Sequence, residues 1–518
     1  MTQADEQPAN GGQAGAGDAA RPDGPQASNE KSGGSRRWIG LGAGPVVFLA
    51  ALLLLPDTLA PEGKATAAIA LLMAIWWMTE AIPIPATALL PLVLFPVLDV
   101  APLADVAPPY ANDIIFLFMG GFMLALAMQR WNLHKRIALR TVLAVGTSPR
   151  MLVAGFMVAT GFVSMWVSNT ATAVMMLPIG LSVLGLVKQL GDGKGDPNFG
   201  SALMLGIAYA ASIGSLGTII GTPPNTLLVG YLADNHDINI GFGQWMLFGV
   251  PIAVVFLLLT WLVLTRFVYP PRMKELPGGR ELIQEQLAKL GPLSRGEKLT
   301  LLVFVLAAVS WISVPLLADV EAIATALPFL ANVSDGVIAM VVAVLLFLLP
   351  VEPRKGVNVL DWETAKELPW GVLLLFGGGL SLSGQFTTTG LSTWIGERVT
   401  ALGVLPLVVL IALVAVLVLF LTELTSNTAT AATFLPILGG VALGLGLDPM
   451  LLAIPVALAA TCAFMLPVAT PPNAIAYGSG YVTINQMVRA GVWLNLIAVA
   501  LITIAMYALA GLVFGLTL

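Results

Sequence analysis

Long apolar blocks, separated by short polar or Pro- and Gly-bearing segments, recur along most of the chain; PVVFLAALLLLP, AIALLMAIWW and LPLVVLIALVAVLVLFL are examples. Blocks of about 20 residues fit a helix that crosses roughly 30 Å of hydrocarbon. The strict alternation of membrane barrel strands is absent. The pattern predicts spanning segments near 38–56, 65–82, 84–98, 112–130, 203–231, 244–266, 297–316, 336–350, 371–387, 450–480 and 491–516. Two further apolar stretches, 150–187 and 405–446, are too long for one span and carry polar residues at their centres. Read as re-entrant hairpins, each enters and leaves on the same side, so the chain is expected to be an all-α polytopic membrane protein of about eleven transmembrane helices.

Charge decides between hairpins and single crossings. Lys and Arg concentrate on the cytoplasmic side of membrane proteins. With both stretches as hairpins and the N-terminus inside, only Lys64 and Arg398 of the 24 basic residues fall outside. A single crossing at either stretch would invert everything after it and move many cations outward. The layout predicts a multi-pass protein of the cytoplasmic membrane with its C-terminus outside. Composition agrees: 57% of residues are hydrophobic and 10% charged, where a soluble domain carries roughly 25% charged. The net charge of −5 and the lack of a basic run leave no basis for nucleic-acid binding. Cys462 stands alone in an apolar stretch and reads as a small buried hydrophobe. Residues 1–35, rich in Gly, Ala, Gln, Asp and Pro, read as a disordered cytoplasmic tail and not as a signal peptide.

The chain repeats itself. FLFMGGFMLALA resembles LLLFGGGLSLSG, and VSNTATAVMMLPI (167–179) matches TSNTATAATFLPI (425–437), both at a separation of 258 residues. IGTPPNTLLVGY (220–231) matches VATPPNAIAYGS (468–479) at 248. In the charge-derived layout the two copies start on opposite sides of the membrane. Inverted repeats of this kind mark secondary transporters, whose sites lie near the midplane between the halves. The expected organisation is N-terminal scaffold spans 38–110, a first repeat unit 111–268 with hairpin 150–187 and broken span 203–231, and an amphipathic cytoplasmic connection 269–298. Scaffold spans 299–366 and a second unit 367–518, with hairpin 405–446 and broken span 450–480, complete it.

Each copy carries Ser-Asn-Thr inside its hairpin and Thr-Pro-Pro-Asn inside its broken span. Paired prolines remove donors and push the preceding residue out of helical geometry, so the span breaks there. Such a break exposes carbonyls suited to a hard cation and N–H groups suited to an anion. Ser-Asn-Thr adds hydroxyl and amide groups able to serve either. No Lys or Arg lies in the four motifs, so a bound anion would rely on neutral donors, with a co-bound cation supplying positive charge. Glu80, in WWMTEAIPIP, is assigned a structural or capping role. Glu423 is an intramembrane carboxylate matched by Met165 in the first copy, which leaves helix support and a modulating or proton-linked role both open. His134 and His236 fall in predicted loops, and no HExxH motif or intramembrane Asp pair offers hydrolytic chemistry.

These strings, together with WWMTEAIPIPATALLP, NDIIFLFMGGFMLALAMQRWNLH, LTELTSNTATAATFLPI and ATPPNAIAYGSG, resemble the divalent anion/sodium symporter family of sodium-dicarboxylate transporters from about residue 38 onward. The resemblance implies a homodimer in the lipid membrane, with scaffold and transport domains and an elevator movement. It implies sodium as coupling ion and no other cofactor. One sodium site would use Ser164, Ser168, Asn169 and Gly221; the other Thr422, Thr425, Ser426, Asn427 and Ala469. The substrate carboxylates would meet Asn169, Thr170, Thr222, Asn427, Thr428, Thr470 and Pro471. The implied activity is sodium-coupled symport of C4 dicarboxylates such as succinate, malate or fumarate. A sodium-independent exchanger, or a citrate or sulfate transporter on the same fold, is the alternative. No cationic side chain replaces a sodium ligand, which argues against the exchangers; an anion channel and a membrane enzyme fit the motifs less well.

Overall fold

The computed structural model describes residues 26–146, 148–190, 195–273, 278–318, 320–398 and 405–517. It is nearly all helix; the sheet among the described residues is a two-stranded antiparallel ribbon, Pro350–Glu352 with Val357–Asn358. Seven described helices are long and apolar enough to cross a membrane. Peripheral helices show how such a surface is solvated. Along Arg295–Ala318 the exposed side chains Leu302, Val305, Leu306, Val309, Ile312 and Leu316 recur at helical spacing. That stripe faces lipid in a membrane and would be untenable in water.

Both hairpins form. Pro149–Ser164 and Asn169–Leu190 are joined by Met165–Ser168, and Leu407–Thr422 and Asn427–Gly444 by Glu423–Ser426. Both broken spans form as well. Pro197–Ser215 stops before the break and resumes as Pro223–His236; Met450–Thr461 stops and resumes as Pro471–Gly478. In each case Thr-Pro-Pro starts the second half, with a Thr N-cap in extended geometry (φ −145°, ψ 141° at Thr222; φ −142°, ψ 149° at Thr470). A residue before proline takes this conformation, and proline is at home in a first helical turn. The first halves are the pillars of the molecule: every residue from Phe199 to Ser215 and from Met450 to Thr461 is buried. Protein surrounds the first break, whose residues 216–222 are all buried, whereas the second lines a cavity with Val468 exposed; both settings allow irregular backbone to persist at membrane depth.

Small residues let these elements close. A Cβ on Gly214 would collide with the backbone of Gly161, so the first hairpin lies directly against the first broken span. In the second half Gly444, at the end of the hairpin's second arm, comes as close to Gly396 of the helix Leu391–Arg398. The two halves join through Tyr209, whose hydroxyl donates to Phe464 O at 2.8 Å, and through the Thr222 and Thr461 hydroxyls at 3.4 Å.

Several expectations need correction. The first helix, Gln26–Leu54, begins inside the stretch read as a disordered tail, so residues 26–35 are helical; 1–25 lie outside the described residues. Once an apolar span has nucleated, each added residue gains a hydrogen bond without a new nucleation cost. The span expected at 84–98 is two short helices, Ile84–Thr87 and Leu90–Val97, with Pro91 opening the second and Pro96 tolerated inside it. His134 is not in a loop: it is buried at the start of helix Leu133–Val145, with Nδ1 2.9 Å from Met128 O. His236 ends the helix Pro223–His236, its Nε2 2.8 Å from the Tyr231 hydroxyl. Polar contacts at the two ends of the bundle join segments that the charge layout puts on one side. Lys64 pairs with Asp57, and Arg398 donates to Thr58; at the other end Arg130 pairs with Asp361, and Arg136 with Glu297.

Candidate functional site

The two hairpin tips and the two breaks meet at one cavity of about 800 Å³. Asn169, Thr170, Thr222, Asn427, Thr428, Thr470 and Pro471 all line it, as do Ser168, Gly221, Thr425, Ser426 and Ala469. Ser164 and Thr422 do not reach the wall. Each is fully buried behind it and donates to the asparagine of its own hairpin: Ser164 Oγ to Asn169 Oδ1 at 3.2 Å, Thr422 Oγ1 to Asn427 Oδ1 at 2.7 Å. Each hydroxyl also reaches a carbonyl of the neighbouring broken span, Ala211 O at 2.5 Å and Ala460 O at 2.8 Å. The same hydroxyl–amide–carbonyl cluster is thus built twice from residues 258 positions apart at each hairpin.

The remaining tip contacts are local. Ser168 Oγ accepts from Ala171 N at 3.3 Å, and Ser426 Oγ from Ala429 N at 3.5 Å, so each Ser caps the second arm of its hairpin. Asn169 Nδ2 donates to Ser215 Oγ at 3.4 Å, and the Thr425 and Thr430 hydroxyls are 2.7 Å apart. Gly221 packs so closely on the Ser215 carbonyl that a Cβ would collide with it, whereas the second half accommodates Ala469. The copies are alike in contact pattern and unequal in backbone spacing.

Glu423 supports the second break alone. Its Oε1 accepts from Phe464 N (2.8 Å), Met465 N (2.9 Å) and Asn495 Nδ2 (2.8 Å), and its Oε2 from Leu466 N (3.2 Å). The residue is 3% exposed. In the first copy, with Met165 in its place, the amides of Leu216 and Gly217 bond back to Ile213 and Gly214 carbonyls, and Thr218 Oγ1 donates to Met165 O. The first break therefore closes on itself as a tight turn, while the second is held open by a carboxylate. Cys462 is buried and begins that second break.

Sequence reasoning missed part of the wall. Arg36, Phe122, Gln129 and Glu367 also line the cavity; Phe122 and Gln129 fall in the quoted repeat and family strings without a feature that singles them out, and no motif marks Arg36 or Glu367. Arg36 donates to Leu424 O at the second hairpin's tip (2.8 Å) and to Met78 O. Glu80 sits in left-handed geometry as the C-cap of Pro61–Thr79, its N–H bonded to Trp76 O, and it too lines the cavity. The donor set offered to a ligand is otherwise hydroxyls, amides and broken backbone, suited to a small anion and hard cations together.

A repeated pair of helical hairpins and broken helices around one polar cavity is the architecture of a membrane transporter. The solved structure of the Alcanivorax borkumensis YdaH transporter superposes with a TM-score of 0.56 over 86% of this chain and 98% of that one, at 14% identity. Neisseria gonorrhoeae MtrF, described among antimetabolite efflux pumps, gives 0.54 over 90% and 98% at 13%. These likenesses establish the fold class alone. A family model described as the sodium:sulfate symporter transmembrane region matches residues 35–516, and the chain belongs to that family. It is 46% identical over 484 residues to the sodium-dependent dicarboxylate transporter SdcS of Staphylococcus saprophyticus, covering 92% of both chains. It is 44% identical, with the same coverage, to SdcS of Staphylococcus aureus.

Proposed function

We propose that this protein is a secondary active transporter that moves C4 dicarboxylates such as succinate, malate and fumarate together with sodium. The observation that carries the reading is the doubled cluster at one cavity: Ser164 and Asn169 with Gly221, and Thr422 and Asn427 with Ala469. Each cluster brings side-chain oxygens to a broken span whose carbonyls are hard ligands, and hard ligands suit sodium. Ser168 belongs to the first cation site, and Thr425 and Ser426 to the second. Between them Thr170, Thr222, Thr428, Thr470 and Pro471 meet the carboxylates of the substrate, one half of the site for each end of a C4 dianion. The name borne by relatives 46% and 44% identical supports both substrate and ion.

Electrostatics explains the coupling. Two carboxylates brought to neutral donors inside a membrane need positive charge, and sodium bound at the paired clusters supplies it. A net positive complex would draw about 2.3 kcal/mol per charge per 100 mV from an inside-negative potential. Because the motifs lie on hairpins and broken spans packed as one body, transport is assigned to an elevator movement of that body against the scaffold spans 38–110 and 299–366, in a homodimer. Sulfate, which the family's description names, is the competing substrate.

The deciding experiment is uptake of radiolabelled succinate into proteoliposomes of purified protein, with an inward sodium gradient or with choline in its place. Sulfate and citrate serve as competitors. Accumulation that needs sodium and disappears in both Asn169→Ala and Asn427→Ala is expected. Uptake indifferent to sodium but dependent on internal dicarboxylate would move the protein to the exchangers.

A further inference from the structure

The asparagine that closes each Thr-Pro-Pro-Asn motif is absent from the cavity wall, and nothing above gives it a role. Asn225 and Asn473 are both fully buried. Asn225 Nδ2 reaches Thr218 O at 2.9 Å, Leu216 O at 3.4 Å and Ser215 O at 3.5 Å. Asn473 Nδ2 reaches Ala463 O at 3.0 Å and Leu466 O at 3.1 Å. Thr218 and Leu466, like Ser215 and Ala463, are equivalent positions of the two breaks. One amide therefore clasps the same two turns of broken backbone in each half.

The orientation of each amide is forced. A flip would set the carboxamide oxygen against backbone carbonyls near 3 Å, which repel. Both Oδ1 atoms are buried without a partner, so the clasp alone holds the side chains in place. Other donors take more of the break carbonyls: Thr226 Oγ1 bonds Ile219 O, Trp245 Nε1 bonds Leu216 O, and the Tyr209 hydroxyl bonds Phe464 O. Among the described residues no protein donor bonds the carbonyl of Gly221 or of Ala469, the break positions assigned above to sodium.

We infer that Asn225 and Asn473 are positioning residues for the cation ligands: by occupying the upstream carbonyls of each break, they fix the turn that carries the Gly221 and Ala469 carbonyls. Each asparagine governs the cation site of its own half. This rests on the sodium-coupled reading and adds to it a pair of residues that touch neither ion nor substrate.

The test is the sodium dependence of succinate uptake, per amount of folded protein, for Asn225→Ala, Asn473→Ala and the milder Asn225→Ser and Asn473→Ser, whose hydroxyl can still bond one carbonyl. Each Ala variant is expected to raise the sodium half-saturation concentration roughly three- to tenfold, the scale of losing one or two neutral hydrogen bonds. Succinate KM at saturating sodium stays near the wild-type value, and the Ser variants fall between. Sodium-induced thermal stabilisation without succinate, measured against choline, reports the same shift for any variant too slow to assay. Lower folded yield with an unchanged sodium half-saturation, in both Ser variants or in both Ala variants, would overturn the inference and leave a structural role. A wild type with no sodium response in either measurement would instead refute the sodium-coupled reading itself.

Discussion

Glu423→Leu removes the carboxylate that holds the second break open while keeping a side chain of similar reach. Three backbone N–H groups, of Phe464, Met465 and Leu466, and the Asn495 amide lose their acceptor inside the molecule. An orphaned buried donor costs about 1–3 kcal/mol. The four cannot simply be summed, because the freed amides can partly turn back onto the Thr461 and Cys462 carbonyls, as the equivalent amides of the first break do onto Ile213 and Gly214. With that partial rebonding, removing the shared acceptor is expected to cost about 2–4 kcal/mol. Glu423→Gln keeps one acceptor oxygen but turns an NH2 toward donors, and about half that loss is expected. The control is Met165→Leu at the equivalent apolar position, a volume-conserving swap costing less than about 1.5 kcal/mol. Thermal and denaturant unfolding of purified protein in detergent, followed by tryptophan fluorescence, gives the ranking. Glu423→Leu within about 1 kcal/mol of wild type would show that the break does not depend on this carboxylate, and the reasoning would fail.

Two further perturbations test the packing around the site. Gly214→Ala places a methyl against the backbone of Gly161 and is expected to cost about 1–3 kcal/mol, whereas Gly185→Ala, which meets nothing within 4 Å, should be neutral or slightly stabilising; equal unfolding midpoints for the two would refute the close approach. Arg136 donates to both Glu297 oxygens, at 2.5 Å and 3.2 Å, and to carbonyls of Leu290, Gly291 and Pro292. Arg136→Met strands a buried carboxylate and should cost about 3–5 kcal/mol, with much of that loss recovered in Arg136→Met/Glu297→Leu; additive losses in the double variant would exclude a coupled pair.

The sequence by itself determined the class of this protein. Apolar blocks of spanning length can be solvated only by a bilayer, and paired prolines at Thr222-Pro223-Pro224 and Thr470-Pro471-Pro472 must interrupt a helix wherever they occur. Those are local rules of backbone chemistry, so the breaks, the hairpins and the wall residues Asn169, Asn427, Thr222 and Thr470 were legible from repeated strings. The same local logic missed proline's effect at 84–98, where apolar content outweighed the break before Pro91, and it left histidines in loops that are helices.

Only the tertiary structure decided which polar groups meet. That Ser164 and Thr422 stand behind the wall and not on it depends on how each hairpin packs against its broken span, in the first half through Gly161 and Gly214. Glu423 could be read as helix support or as a modulator until the fold brought Phe464, Met465, Leu466 and Asn495 to it from 41 to 72 residues away. Arg36, from the first helix, reaches the second hairpin tip across 388 residues of chain, a contact no local pattern encodes. Hydrophobic spacing is a property of neighbours along the chain. Hydrogen-bond partners across a buried break are a property of packing, and packing is settled only when the whole chain has closed around it.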